Sequence, residues 1–277
     1  MKRSGLRLDE LGRKGYRILQ DPDAFCFGVD AVLLADFAKA GPEERVLDLG
    51  TGNGIIPLLL DARDRGGKIV GLELQADAAA LAQENFKLNH AEERLKAVCG
   101  DLKEASALFG RASFDVVVTN PPYQELGRGV VNPDEAKMIA RHEAACTLED
   151  VLREAAVCLK LHGRFYMVHR PKRLAEILSG MERVGIAPRT LRFVHAREGE
   201  QASLVLVSGF RGGGKELRVL PPLIIYGEGG GYRPDVYEIY YGDRKMPPAA
   251  ETKVPETADP EAPAAPPAKL PGQEVRR

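Results

Sequence analysis

The chain of 277 residues has four cysteines, Cys26, Cys99, Cys146 and Cys158, scattered singly and forming no C-x-x-C pair. That scatter argues against a disulfide framework or a zinc ribbon and predicts reduced thiols, no bound metal and a cytoplasmic setting. Long apolar runs are missing too. No stretch approaches the roughly 18 residues of a membrane span, and the charged start lacks the apolar core of a secretory signal, so no membrane is expected. Net charge of one sign is nearly absent, at −1, and there is no internal repeat. Charge gathers only locally. Residues 137–211 hold 13 Lys/Arg against 8 Asp/Glu, and Lys2, Arg3, Arg7, Arg13, Lys14 and Arg17 crowd the first 17 residues. Such surfaces can bind phosphates, although a merely solvated face shows the same counts.

What the chain does have is a strand that stops abruptly. FDVVVTNPPY, residues 114–123, is a run rich in β-branched residues that suits a strand buried on both faces. Two consecutive prolines then forbid further ladder pairing and impose a stiff, extended turn. Asn120, Pro121, Pro122 and Tyr123 are thereby predicted at the carboxyl end of a buried strand, where open α/β sheets bind ligands. An Asn side-chain oxygen beside a proline carbonyl can accept both hydrogens of a planar –NH2 group, and a Tyr ring offers it a flat face.

Strand-like and helical stretches alternate from about residue 45 to 168, which predicts an α/β protein with a mostly parallel sheet. Expected strands are 45–49, 68–73, 95–99, 114–119 and 163–168, with two more at 191–195 and 203–207. Expected helices cover 55–65, 76–88 and 148–161, with a short closing helix at 232–241. From about residue 244 the chain turns to Pro, Ala and Glu without aromatics, a composition that predicts disorder. The expected organisation is a basic arm at 1–24, a domain at 25–243 and a tail at 244–277.

Residues 46–54, VLDLGTGNG, run from a strand into a glycine-rich loop and then a helix. A nicotinamide-dinucleotide fingerprint needs a small third residue, but that position holds Ile55 or Pro57 in the two possible registers. The leading Asp48 is also a poor greeting for a pyrophosphate and would attract a cation instead. Glu73 ends the next strand and could accept from ribose hydroxyls. Asp101 ends the third and could accept from an exocyclic amine. Asn120 ends the fourth. Each acid alone reads equally well as a solvated residue or a helix cap; together, correctly typed at successive strand ends, they point to one site.

With these residues assembled, the chain resembles the class I S-adenosylmethionine-dependent methyltransferases over roughly residues 20–225, and within them the N-P-P-Y amino-methyltransferases. The resemblance implies a Rossmann-like sheet of seven strands whose last is antiparallel. It also implies S-adenosylmethionine as cofactor, with Asp48, Gly50, Gly52 and Asn53 along its methionine part, Glu73 and Leu74 at its ribose, Asp101 and Leu102 at its adenine, and Asn120 beside them. The segment GVDAVLL around Asp30 resembles the one that precedes the cofactor loop in bacterial tRNA adenine-N6 methyltransferases acting beside the valine anticodon. There it caps the cofactor pocket, which implies that role for Asp30; capping an apolar helix from Ala31 onward is the alternative. The implied chemistry is methyl transfer to an adenine amine in RNA, most specifically adenine 37 of a tRNA. Asn120 and Pro121 would accept from the amine and Tyr123 would stack on the base, with Pro122, Arg170, Lys172 and Arg173 as further substrate contacts. Methylation of a glutamine amide in a translation factor, of a DNA adenine or ribosomal guanine, and RNA or nucleotide binding without catalysis remain the competing readings.

Overall fold

The β-branched runs form the centre of one sheet in the computed structural model of the protein, which describes residues 5–22, 27–121, 146–214 and 216–242. The parallel core consists of β3 (Arg45–Leu49), β4 (Lys68–Glu73), β5 (Leu95–Cys99), β6 (Phe114–Thr119) and β7 (Leu159–His169). A hairpin of β8 (Ile186–His195) and β9 (Ala202–Arg211) follows, and the spatial order is β5-β4-β3-β6-β7-β9-β8. Only β9 runs antiparallel to its neighbours, so the seven-stranded sheet with an antiparallel final strand is present. Two short pieces, β10 (Arg218–Val219) and β11 (Leu223–Ile224), pair parallel with β8 and extend that edge.

Connections from β3 wind toward β5, whereas those from β6 wind toward β7, so the winding reverses between β3 and β6. Their register pairs Leu49 with Thr119, so the chain leaves the two strands side by side, at Gly50 and at Asn120. This is the crevice where an open α/β sheet takes its ligand.

Period-two alternation sends Val46, Val116 and Val118 into one core and Leu47, Leu49 and Val117 into the other. The first core is covered by α1 (Val29–Phe37), α2 (Ile55–Asp61), α3 (Ala76–Leu88) and the last helix, α7 (Pro234–Tyr241). The second lies under α4 (Ala105–Phe109), α5 (Leu148–Cys158) and α6 (Leu174–Arg183). Helix α5 begins with a reciprocal capping box between Thr147 and Asp150, worth about 1 kcal/mol, and ends at Cys158 where β7 takes over the chain. The expected helix at 148–161 therefore ends early, and the strand expected at 163–168 begins four residues sooner. Likewise the helix expected at 55–65 stops at Asp61.

The basic residues near the start are not all on an extended arm. β1 (Arg7–Glu10) and β2 (Arg17–Gln20) form a hairpin that buries Leu11 and Ile18 in the first core. Asn85 of α3, fully buried, exchanges hydrogen bonds with both backbone groups of Leu19 at 2.7 and 3.0 Å. Arg13 donates to the backbone carbonyls of Glu238 and Ile239 in α7, and Lys14 pairs with Asp64. The tail expected at 244–277 lies outside the described residues.

Candidate active site

The glycine loop after β3 is shaped from its backbone outward. Gly50 and Gly52 take positive φ, +77° and +56°, and a Cβ on either would meet nothing within 4 Å. Their freedom opens space beside the strand ends. Gly54, also at positive φ, does something different: a Cβ there would lie 2.6 Å from Phe86, so this glycine lets α3 press against the loop. Gly54 therefore serves packing and not ligand access. Asn53 faces neither role with its backbone, since its carbonyl accepts from Asn85 Nδ2 at 3.0 Å and is thereby tied to the hairpin.

Asp48 is the electrostatic anomaly of the site. Its carboxylate is 0% exposed, and neither oxygen has a hydrogen-bond partner among the described residues. Burial pushes its carboxyl up to about 7; the neighbouring Thr51 hydroxyl draws it down, and the charge of Glu73 pushes it up again. Buried polar atoms are ordinarily paired, so an orphaned carboxylate at a strand end marks a place for a cation or donor. By contrast Glu73, 5% exposed, is already engaged: one oxygen accepts from the Gly52 N–H and the other from the Gln75 N–H, each at 2.9 Å. It thus holds the glycine loop against the end of β4 while keeping further lone pairs available, because each carboxylate oxygen can accept more than once.

At the end of β5, Asp101 caps the short 3-10 turn Leu102–Glu104, accepting from the Lys103 N–H at 2.9 Å. The helix-cap alternative is therefore realised at this acid, which also lies 3.5 Å from the Lys103 ammonium. Leu74, 44% exposed at the end of β4, presents an uncovered apolar side chain on the same edge of the sheet, and Leu102 packs partly against the second core.

β6 delivers Asn120 beside the glycine loop. Thr119 Oγ1 donates to the Leu49 carbonyl at 2.9 Å and fastens the two strand ends together. Asn120 Nδ2 donates to Asp30 Oδ2 at 3.1 Å. Asp30 stands inside the first turn of α1, whose cap is Gly28, so the expected capping of a helix from Ala31 by Asp30 is not what forms. Pro121 is half-buried; Pro122 and Tyr123 lie outside the described residues. Arg170, Lys172 and Arg173 follow β7 on the same edge. Arg170 Nη1 donates to the Ser203 carbonyl at 3.2 Å, and Arg173 grips Glu176 at 2.6 and 2.9 Å. Buried His169 accepts the Arg170 N–H at Nδ1, 2.8 Å away, and burial with the nearby Arg173 charge lowers it to about 4, so it is neutral. It shapes the turn that carries the basic residues.

Residues missed by sequence reasoning are those that hold the site: Thr51, Asn85 and Thr119. Thr51 lies between two glycines, Asn85 follows Gln83 and Glu84 in α3, and Thr119 ends an apolar strand, so periodicity gave none of them a signal distinct from a solvated position. Among the described residues no cluster of His, Cys, Asp and Glu could hold a metal, and no helix is long and apolar enough to cross a membrane.

Comparison with known proteins gives this geometry a context. The model of the family described as "Methyltransferase small domain" matches residues 15–185. The tRNA1(Val) (adenine(37)-N6)-methyltransferase of Bacteroides thetaiotaomicron is 35% identical over 158 residues, which are 56% of this chain and 64% of that protein. The match thus spans just under two thirds of that relative's length. The protein of the same name from Aeromonas salmonicida is 29% identical over 220 residues, covering 79% of this chain and 90% of its own. Among solved structures, a predicted O-methyltransferase of Agrobacterium tumefaciens superposes with a TM-score of 0.63 at 24% identity, over 77% of this chain and 96% of that one, a likeness of fold.

Proposed function

The chain belongs to the methyltransferase small domain family, and from that premise we propose that it moves a methyl group from S-adenosylmethionine to the exocyclic N6 amine of an adenine in RNA, adenine 37 of a tRNA anticodon loop. The observation that carries the reading is an orphaned buried carboxylate near the end of β3 next to the switch point, with Asn120 following the end of the adjoining β6. The relatives named for tRNA adenine methylation support the choice of acceptor.

The residues present fit this cofactor. Asp48 offers a buried carboxyl, without a hydrogen-bond partner among the described residues, to a ligand that is cationic at its sulfonium and its ammonium and that would favour its ionised form. Gly50 and Gly52 leave room for it to lie along the loop, with Asn53 alongside. Glu73 and Leu74 suit the ribose, and Asp101 with Leu102 the adenine. When bound, the cofactor supplies an electrophilic methyl group. The chain itself has to present and activate the acceptor.

An aromatic amine is a weak nucleophile because its lone pair is delocalised into the ring. Asn120 Oδ1 and the Pro121 carbonyl, each accepting one N–H, favour a pyramidal nitrogen and offset the positive charge that grows on it. Tyr123 stacks on the base, a contact worth about 1–3 kcal/mol. No strong base is required, since the methylated ammonium loses its proton readily, and neutral His169 agrees with that economy of groups. The base must leave any stack to reach the strand ends, which an anticodon loop permits at low cost. Arg170, Lys172 and Arg173 flank that approach, and a tRNA substrate locates the protein in the cytoplasm.

Mass spectrometry of tRNA nucleosides from cells with and without the gene tests the acceptor. Loss of N6-methyladenosine on deletion is expected; an unchanged level rejects it. Tritiated methyl transfer into separated RNA, DNA and protein fractions tests the class, and label confined to protein would redirect the reading to a glutamine amide.

A further inference from the structure

Asp30 lies outside the strand ends, on the helix that precedes the first of them, yet its carboxylate reaches the residue at the centre of the site. Asn120 Nδ2 donates to Asp30 Oδ2 at 3.1 Å across 90 residues of sequence. The other oxygen, Oδ1, accepts the Ala31 N–H at 2.8 Å, which holds the carboxylate in place from its own backbone. Asp30 is 3% exposed, and α1 is buried from Val29 to Ala35. The group has little freedom to point elsewhere.

A carboxylate can only accept, so the contact identifies the nitrogen end of the Asn120 amide and turns the oxygen end the other way. We infer that Asp30 is a positioning residue that selects the amide orientation in which Asn120 Oδ1 meets the acceptor's –NH2. This rests on the methyl-transfer reading above and deepens it. The two ends of an amide are nearly the same size, so packing alone discriminates them poorly. The flipped form would set N–H against N–H and could not accept from the amine. It would also turn Oδ1 toward a buried carboxylate, which is repulsive. In addition, a negative charge hydrogen-bonded to the nitrogen polarises the amide and enriches Oδ1, the atom facing the growing positive charge. The role differs from capping the cofactor pocket, and the two separate by experiment.

The test uses the full chain, unmodified tRNA transcript and tritiated S-adenosylmethionine, with Asp30→Asn, Asn120→Ala and the double variant. The Asp30→Asn change keeps shape but lets residue 30 either donate or accept, so the selection is lost. Turnover at saturation should fall about tenfold or more, the scale of one charge-assisted hydrogen bond, with KM for tRNA and calorimetric cofactor affinity within about twofold. Adding Asp30→Asn to Asn120→Ala should cost nothing further, because the positioning residue then has nothing to position. Unchanged turnover in Asp30→Asn overturns the inference, as does weakened cofactor affinity with turnover intact, or losses that multiply in the double variant. A second readout needs neither turnover nor a folded variant. In the unmutated protein, the Asn120 side-chain proton facing Asp30 should resonate well downfield of its geminal partner. A pair at the positions of a solvated Asn sinks the inference even if Asp30→Asn does not fold. Should the unmutated protein methylate no RNA, the functional reading fails, while the resonance still decides the role of Asp30.

Discussion

The ends of β3 and β6 adjoin, and they solve opposite problems. At β3, the Asp48 carboxyl lies in full burial with no hydrogen-bond partner among the described residues. At β6, Thr119 bonds Leu49 and Asn120 bonds Asp30, so the polar atoms are engaged. The first end is strained by desolvation, a cost that the proposed cationic cofactor would relieve. The second is already organised before any ligand arrives, as a group that must present one atom in one direction should be. Under the proposed reading, binding and orientation fall to neighbouring strands and should respond to different mutations.

The sharpest way to break this comparison is Asn120→Ala. Turnover in steady-state methyl transfer should drop by about 100- to 1,000-fold, the scale of a lost donor or acceptor aimed at developing charge, with cofactor affinity by calorimetry nearly unchanged. A parallel loss of affinity would show that the two strand ends are not separable.

Asp48→Asn probes the other side. Because the fold raises this carboxyl from 3.8 to about 7, the protonated folded form is favoured. Its stabilising effect is complete below pH of about 4 and is lost as pH rises through about 7, a difference on the order of a few kcal/mol. Denaturant titrations of the ligand-free protein at pH 5 and pH 8 should show Asp48→Asn gaining stability relative to the unmutated chain at the higher pH, while cofactor affinity weakens. Cofactor binding near pH 7 should also release protons, visible as a dependence of the calorimetric heat on the buffer.

The glycine loop offers a smaller contrast within three residues. Gly54→Ala should cost about 2–3 kcal/mol in urea unfolding, since a Cβ meets Phe86 and the backbone is left-handed. Gly52→Ala has open space and should cost about 1 kcal/mol, with its larger effect on cofactor affinity. Smallest of all are the rim charges. Lys172→Ala should weaken tRNA binding a few-fold and reduce the salt slope of affinity by about 1. Arg13→Ala, whose guanidinium is engaged with α7, should lower stability and leave that slope unaltered.

Legibility followed locality. The helix at 76–88 and the strands at 45–49, 68–73, 95–99 and 114–119 coincide with the structure because β-branched runs and a 3.6-residue period are set by near neighbours. Boundaries such as Cys158 escaped because Leu159, apolar in either setting, continues the helical pattern into a strand. The basic start read as an arm from charge alone, whereas Leu11, Ile18 and the Asn85 bonds to Leu19 make 7–20 a docked hairpin. Charge counts carry no information on which guanidinium finds a carbonyl across 226 residues.

The sequence by itself determined the residue types at each strand end, the α/β alternation and the prolines that halt β6, because these are local choices of backbone and side-chain chemistry. Only the tertiary structure decided that Asp48 is wholly desolvated, that Gly54 serves α3 and that Asp30 meets Asn120. Desolvation depends on every element laid over a group, and a contact between distant residues depends on how helices and sheet come together; neither is encoded in the spacing along one segment.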